Sequence, residues 1–98
     1  MSRQNLYLVC YDISHPDRLR KVHTTMKGFG RSLQYSVFIC HLSKQGKVEL
    51  IASLDEIINH REDRIMIVNL GPAKNTTKER ITFLGTHPPK RDRKAIII

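Results

Sequence analysis

Asp12 is the first residue whose position suggests chemistry. It closes the apolar run Leu6 to Tyr11 (Leu-Tyr-Leu-Val-Cys-Tyr) and stands just before the helix-start pattern Ser14-His15-Pro16-Asp17. A carboxylate where a buried strand meets a helix N-terminus can hold Mg²⁺, which takes oxygen ligands and keeps several waters beside one or two carboxylates. Such an ion supports phosphodiester hydrolysis by activating water or bridging a phosphate. The alternative is a carboxylate that caps a turn or pairs with a nearby arginine. One carboxylate is thin for a nuclease. Asp17 is read as taken by the helix cap, and Asp55, Glu56, Glu62 and Asp63 are expected at the far end of the topology. Symmetry offers the remedy: two subunits meeting near the strand ends would supply two Asp12 from one sequence position. Two carboxylates so close raise one pKa unless a cation lies between them, so the site would be metal- and pH-sensitive.

The second chemical signal is basic. Seventeen Lys and Arg against nine Asp and Glu give a formal net charge of +8, a field that attracts polyanions, nucleic acid first among them. Arg18, Arg20, Lys21 and Lys27 lie on the first expected helix, with Arg31 just after it. Cations near a helix N-terminus oppose the dipole, so Arg18 and Arg20 make better sense if a phosphate or a carboxylate comes to them. Lys90, Arg91, Arg93 and Lys94 form a second cluster near the C-terminus. No helix pattern is basic on one face and strongly apolar on the other, and no run approaches membrane-spanning length. A cytoplasmic protein with no membrane partner is expected.

Other chemistries find little support. The histidines His15, His23, His41, His60 and His87 show no pair at metal-ligand spacing. Of these, His15 beside the Asp12 turn and His41 in the next strand region merit attention. Cys10 and Cys40 sit inside apolar runs without a CxxC pair, and read as buried free thiols. Gly28-Phe29-Gly30 reads as a helix stop rather than a nucleotide loop.

The elements that would position these groups follow from the apolar pattern. Leu6 to Tyr11 predicts a strand covered on both faces. Ser14 is read as N-cap of the helix that follows, with Asp17 as its capping-box partner and Pro16 in the first turn. Leu19, Val22 and Met26 carry the helical spacing. Leu33 to Leu42 is β-rich and is either one long strand or two short ones kinked near Ser36, since no Gly or Pro marks a turn. Ser43 to Gly46 reads as a loop, with a second helix from Val48 to about Asn59. Arg64 to Leu70 is a further strand that Gly71-Pro72 should break, and Ile81 to Leu84 could add a short one. This order predicts an α+β, two-layer sandwich, an antiparallel sheet with two helices on one face. Residues 1–85 form the domain. Residues 86–98 form a basic tail ending Ala95-Ile96-Ile97-Ile98, apolar enough to need a sheet edge to dock on, in cis or on a partner subunit.

Taken together, Tyr11-Asp12-Ile13-Ser14, Arg18-Leu19-Arg20-Lys21-Val22, Gly30 and Gln34-Tyr35-Ser36-Val37-Phe38 resemble the small CRISPR-associated family that partners the spacer integrase. The resemblance covers the first half of the chain well, and the second half in its order of elements. It implies a ferredoxin-like fold, a two-fold homodimer, and a last strand packed on the partner subunit. It also implies metal-dependent endonuclease activity on RNA or DNA, with Mg²⁺ (or Mn²⁺) between the two copies of Asp12. Tyr11, Arg18, Arg20, Arg31 and Phe38 match family positions tied to activity, and Ser36 belongs with Phe38 among the residues supporting the site. Members also bridge the CRISPR integrase and hold duplex DNA, a scaffolding role in spacer acquisition that needs no catalysis.

A rival from another class is an RNA-binding module on the same fold, stacking bases on Tyr7, Tyr11, Tyr35 and Phe38 if these lie on an open sheet face. The glycine-aromatic pattern typical of such modules is missing.

Overall fold

The first strand, β1 (Asn5–Asp12), sorts its side chains by strict alternation. Tyr7, Val9 and Tyr11 join one apolar cluster, while Leu6 and Leu8 join another on the opposite face. The strand is therefore covered on both sides along much of its length, as its unbroken apolar run requires, and becomes exposed at Asp12. The computed structural model describes residues 3–74 and 80–86.

Helix α1 (Pro16–Lys27) follows after a short turn and buries Val22 and Met26. Its N-cap is His15, not Ser14: the His15 Nδ1 accepts the Asp17 backbone N–H at 3.1 Å. Ser14 is used elsewhere, in a tertiary contact that no local pattern reveals. Beyond α1 the chain passes Gly30, where a side chain has no room, since a Cβ there would run into the Ile39 carbonyl and the Cys40 sulfur.

The ambiguous segment 33–42 is a hairpin. Strand β2 (Arg31–Gln34) turns through Tyr35 and Ser36 into β3 (Val37–Leu42). Ser36 adopts a left-handed φ of 64°, a conformation usually given to glycine, so the turn left no Gly or Pro signature. The Ser36 carbonyl accepts the Tyr11 N–H at 3.1 Å, which ties the turn to the end of β1.

Helix α2 (Lys44–Asp55) starts and stops four residues earlier than its apolar pattern predicts. Ser43 caps it by accepting the Gly46 N–H at 3.0 Å, so the supposed loop is the first helical turn. Strand β4 (Arg64–Pro72) runs on through Gly71, which takes a φ of 98°, and Pro72, which pairs with Asn5. Pro72 is tolerated because β4 is an edge strand. Ile81 to Leu84 forms no strand. Instead Ile81 and Phe83 pack against Leu6, Leu33 and Ile39 on the face away from the helices.

The four strands are ordered β2-β3-β1-β4, all neighbours antiparallel. Both helices contribute to the cluster of Tyr7, Val9, Tyr11, Phe38, Cys40 and Leu42, through Val22 and Met26 on one side and Leu50 and Leu54 on the other. This is the ferredoxin-like sandwich expected from the sequence. No helix among the described residues is long and apolar enough to cross a membrane. The basic cluster Lys90, Arg91, Arg93 and Lys94 and the terminal isoleucines lie outside the described residues.

Candidate functional site

Asp12 ends β1 on the sheet face opposite the helices, the face it shares with Leu8 and Cys10 by strand alternation. It is exposed, and its carboxylate makes no side-chain hydrogen bond or ion pair among the described residues. Neither bland role for this residue, turn cap or arginine partner, is what the structure displays.

Two of the carboxylates expected far away, Glu62 and Asp63, are close by. Antiparallel pairing sets Asp12 opposite Arg64, so residues just before Arg64 lie beside the β1–α1 turn. Asp63 is at the centre of that junction, with its side chain fully buried. Its Oδ2 accepts from Arg18 Nε at 2.7 Å and from the Asn59 N–H at 2.8 Å. Its Oδ1 accepts from the Ser14 N–H at 2.9 Å and from Arg18 Nη2 at 3.2 Å. Arg18 Nη2 also donates to Glu62 Oε1 at 3.1 Å, and the Ser14 hydroxyl donates to the Glu62 carbonyl at 2.7 Å. The Arg18 guanidinium, helped by the Asn59 and Ser14 amides, holds the Asp63 carboxyl well below the usual carboxylate range despite burial. The same contacts raise the Arg18 pKa, the Asp63 hydrogen bond foremost. Of the two anions proposed for Arg18, a phosphate or a carboxylate, the structure supplies the carboxylate.

The other cations are freer. Arg20 pairs with Asp17 at 2.5 Å, both well exposed, an arrangement that constrains little. Asp17 thus faces Arg20 rather than completing a capping box. Arg20, Lys21, Thr24, Thr25 and Ile57 line a shallow open groove along α1. Lys27 is exposed at the end of α1, and Arg31 starts β2, opposite Ile39.

Tyr11 is one residue from Asp12 and on the opposite face. It is buried, its ring stacks on Phe38 at 6.3 Å, and its hydroxyl lies 2.9 Å from His23 Nδ1. Burial is the main cause that pushes its phenol up to about 12. His23 meets Phe38 edge-on at 5.4 Å, and burial, followed by the charge of Lys27, lowers its pKa. Phe38 is fully buried. These placements remove the stacking surface of the rival RNA-binding reading: Tyr7, Tyr11 and Phe38 face the helices, and of the four aromatics only Tyr35 is largely exposed.

The two histidines singled out from sequence part company. His15 is a cap near Asp12. His41 pairs with Leu6 at the other end of β1, six residues or about 20 Å from Asp12. Residues that the sequence reading missed are His23, Asn59, Glu62 and Asp63. His23 was within reach, since it shares the α1 stripe of Leu19, Val22 and Met26. The others depend on which strand pairs with β1.

The described residues contain no group of three or more His, Cys, Asp or Glu able to hold a metal ion. At the end of β1, Asp12 is an exposed carboxylate unpaired among the described residues, which suits Mg²⁺ as one oxygen ligand among waters.

Comparison with known proteins adds lineage to this geometry. Residues 5–78 match the family model described as CRISPR associated protein Cas2. A CRISPR-associated endoribonuclease Cas2 of Geobacter sulfurreducens is 40% identical over 95 residues, covering 97% of this chain and 99% of the relative. A second, of Thermodesulfovibrio yellowstonii, is 45% identical over 83 residues, covering 85% and 88%. Among solved structures, Streptococcus pyogenes Cas2 at pH 6.5 superposes with a TM-score of 0.72 at 33% identity, covering 82% of this chain and 99% of that one. A hypothetical protein of Thermus thermophilus gives 0.74 at 27% identity, covering 88% and 96%. With the matched model spanning every described strand and both helices, the chain belongs to the CRISPR-associated Cas2 family.

Proposed function

We propose that this protein is a dimeric, metal-assisted endonuclease of the CRISPR system, cleaving phosphodiesters in RNA or DNA, with Asp12 from each chain at the shared site. The observation that carries the reading is the free, exposed Asp12 carboxylate at the end of β1, beside a junction where Asp63 accepts four hydrogen bonds from Ser14, Arg18 and Asn59. The relatives' name, CRISPR-associated endoribonuclease, supports RNA as one substrate.

Asp12 would hold Mg²⁺, or Mn²⁺ in its place. The ion would supply Lewis-acid stabilisation of the phosphate and a more acidic bound water. Dimerisation is favoured by the helix-free face of the sheet, where Met66 is 53% exposed and Leu8, Cys10, Val37 and Val68 are only partly covered. A two-fold axis on that face near the end of β1 would bring two Asp12 carboxylates together, since Asp12 shares the face. Arg20, Lys21 and Lys27 would contact phosphates along α1, with Lys90, Arg91, Arg93 and Lys94 extending the basic surface.

A second reading, a non-catalytic scaffold that holds duplex DNA for the CRISPR integrase during spacer acquisition, draws on the lack of a metal-ligand cluster among the described residues. Cleavage of labelled duplex DNA and single-stranded RNA separates the two. Wild type and Asp12→Ala are compared with Mg²⁺, Mn²⁺ or chelator. Metal-dependent cutting lost in Asp12→Ala is expected for the nuclease. Salt-sensitive binding without cutting in either protein would leave the scaffold.

A further inference from the structure

Arg18 has the residue type and the helix position of a phosphate-binding cation, yet its guanidinium is already spent on two carboxylates. Nε and Nη2 fork onto Asp63, and Nη2 reaches Glu62. Its side chain is 23% exposed, against 68% for Arg20 two residues on. Asp63 in turn has each oxygen accepting two donors, one from Arg18 and one from a backbone amide. The Ser14 amide belongs to the turn that directly follows β1. Asp63 directly precedes Arg64, the strand partner of Asp12. The carboxylate of Asp63 therefore joins the two chain segments that flank Asp12, one on each side of the β1–β4 ladder.

We propose that Asp63 is a positioning residue for Asp12, and that Arg18 serves the site by acting through Asp63 rather than by touching nucleic acid. Asp12 has no side-chain partner of its own among the described residues, so its placement depends on the turn that follows it and on the start of β4 paired beside it. That backbone is held by an acceptor with no spare lone pair. Replacing Asp63 by Asn puts an amide N–H₂ against at least one donor and unseats Ser14 or Asn59. Replacing Arg18 removes two of the four donors and leaves a buried carboxylate undercompensated. In both cases the turn after Asp12 loosens, while the exposed cations of α1 stay where they are.

The inference rests on the nuclease reading for its rate measurement and on neither reading for its binding and exchange measurements. Wild type, Asp12→Ala, Arg18→Gln, Arg18→Lys, Asp63→Asn and the double variant Arg18→Gln/Asp63→Asn are assayed as the full chain. Three readouts are taken: Mg²⁺-dependent cleavage, the salt slope of duplex DNA binding, and amide exchange by NMR. Expected are cleavage rates at least tenfold down in each single variant, with the double no more than twofold below the worse single. Arg18→Lys fails to rescue, because an ammonium keeps the charge but lacks the fork. Salt slopes of both Arg18 variants match wild type, and Ser14 and Asn59 amides exchange faster with a shifted Asp12 resonance.

A salt slope reduced by about one in Arg18→Gln, with Arg18→Lys restoring binding, would mean that Arg18 holds a phosphate, and the proposal would be overturned. An unmoved Asp12 resonance and unchanged rate in Asp63→Asn would overturn it equally. If wild type and Asp12→Ala both fail to cut, the nuclease reading falls, and the salt slope and Asp12 resonance still decide the role of Arg18 and Asp63. If Asp63→Asn does not fold, Arg18→Lys alone carries the test, through the same slope and resonance.

Discussion

The Tyr11 hydroxyl lies 2.9 Å from Nδ1 of His23, on the far side of the sheet from the Asp12 carboxylate one residue along. The direction of this bond follows from the two acidities. The phenol, pushed up to about 12, keeps its proton at ordinary pH, and His23, with its pKa lowered, is neutral. The hydroxyl therefore donates and Nδ1 accepts, which leaves the imidazole proton on Nε2. Tyr11 is thus an anchor for the strand end, joined to α1 by this bond and to β3 by its stacking on Phe38.

Protonating His23 destroys the acceptor. Because its folded pKa lies below the unfolded value, its contribution is full above about pH 6.5 and is lost as pH falls through the folded pKa. Wild type should melt at a lower temperature at pH 5 than at pH 7.5, and His23→Gln should narrow that gap. Tyr11→Phe should cost about 0.5–1.5 kcal/mol at pH 7.5, read by urea unfolding. An equal gap in wild type and His23→Gln would show that the imidazole does not titrate in this range.

Asp63 governs a lower window. Its carboxyl is held below the usual range by Arg18 and by two backbone amides. The stability it contributes is present above about pH 4, the unfolded value, and is lost as pH falls through the folded one. Acid titration followed by circular dichroism should show wild type unfolding below pH 4. Asp63→Asn should be less stable at pH 7 and flatter below pH 4, so that the two curves converge in acid.

Phosphate contacts leave a countable trace in salt dependence. Arg20→Ala and Lys21→Ala, on the exposed groove of α1, should each lower the slope of log K against log salt by about one. Fluorescence anisotropy on a labelled duplex between about 50 and 200 mM salt reads it. Unchanged slopes would move the nucleic acid off this helix.

The two cysteines report on the open sheet face. Burial pushes the Cys40 thiol up to about 11, and it should react with a thiol reagent only in denaturant. Cys10 is half-buried beside Met66 on the helix-free face. Its labelling should slow as protein concentration rises through dimer formation. Labelling independent of concentration would place any dimer contact elsewhere.

Gly30 tests the packing of the sheet against its own connection. Gly30→Ala should destabilise by about 1–3 kcal/mol, because the added methyl meets the Ile39 carbonyl and the Cys40 sulfur, and backbone gives way less easily than a side-chain tip. Thermal denaturation compared with Gly28→Ala, where the nearest atom is the Thr25 carbonyl at 3.4 Å, isolates the clash.

Much of this protein was legible in its residue order. The apolar run before Asp12, the stripe of Leu19, Val22 and Met26, and the β-rich stretch after Leu33 identified the elements, because burial imposes a period of two on strands and about 3.6 on helices. The order strand, helix, one or two strands, helix, strand then led to the sandwich, and Asp12 emerged as the carboxylate at a strand end. Where local chemistry is shared between options, residue order alone does not choose between them. Ser14 and His15 could both cap α1, and the choice fell to His15 because Ser14 is bonded to Glu62 and Asp63, nearly fifty residues away. The Ser36 turn gave no glycine signal, because the hairpin and the Tyr11 N–H hold a serine in a left-handed conformation. Only strand pairing decided that Asp63 lies beside Asp12 and that Arg18 answers a carboxylate. Antiparallel pairing of β4 with β1 joins the start of one to the end of the other, and sequence separation carries no record of that adjacency.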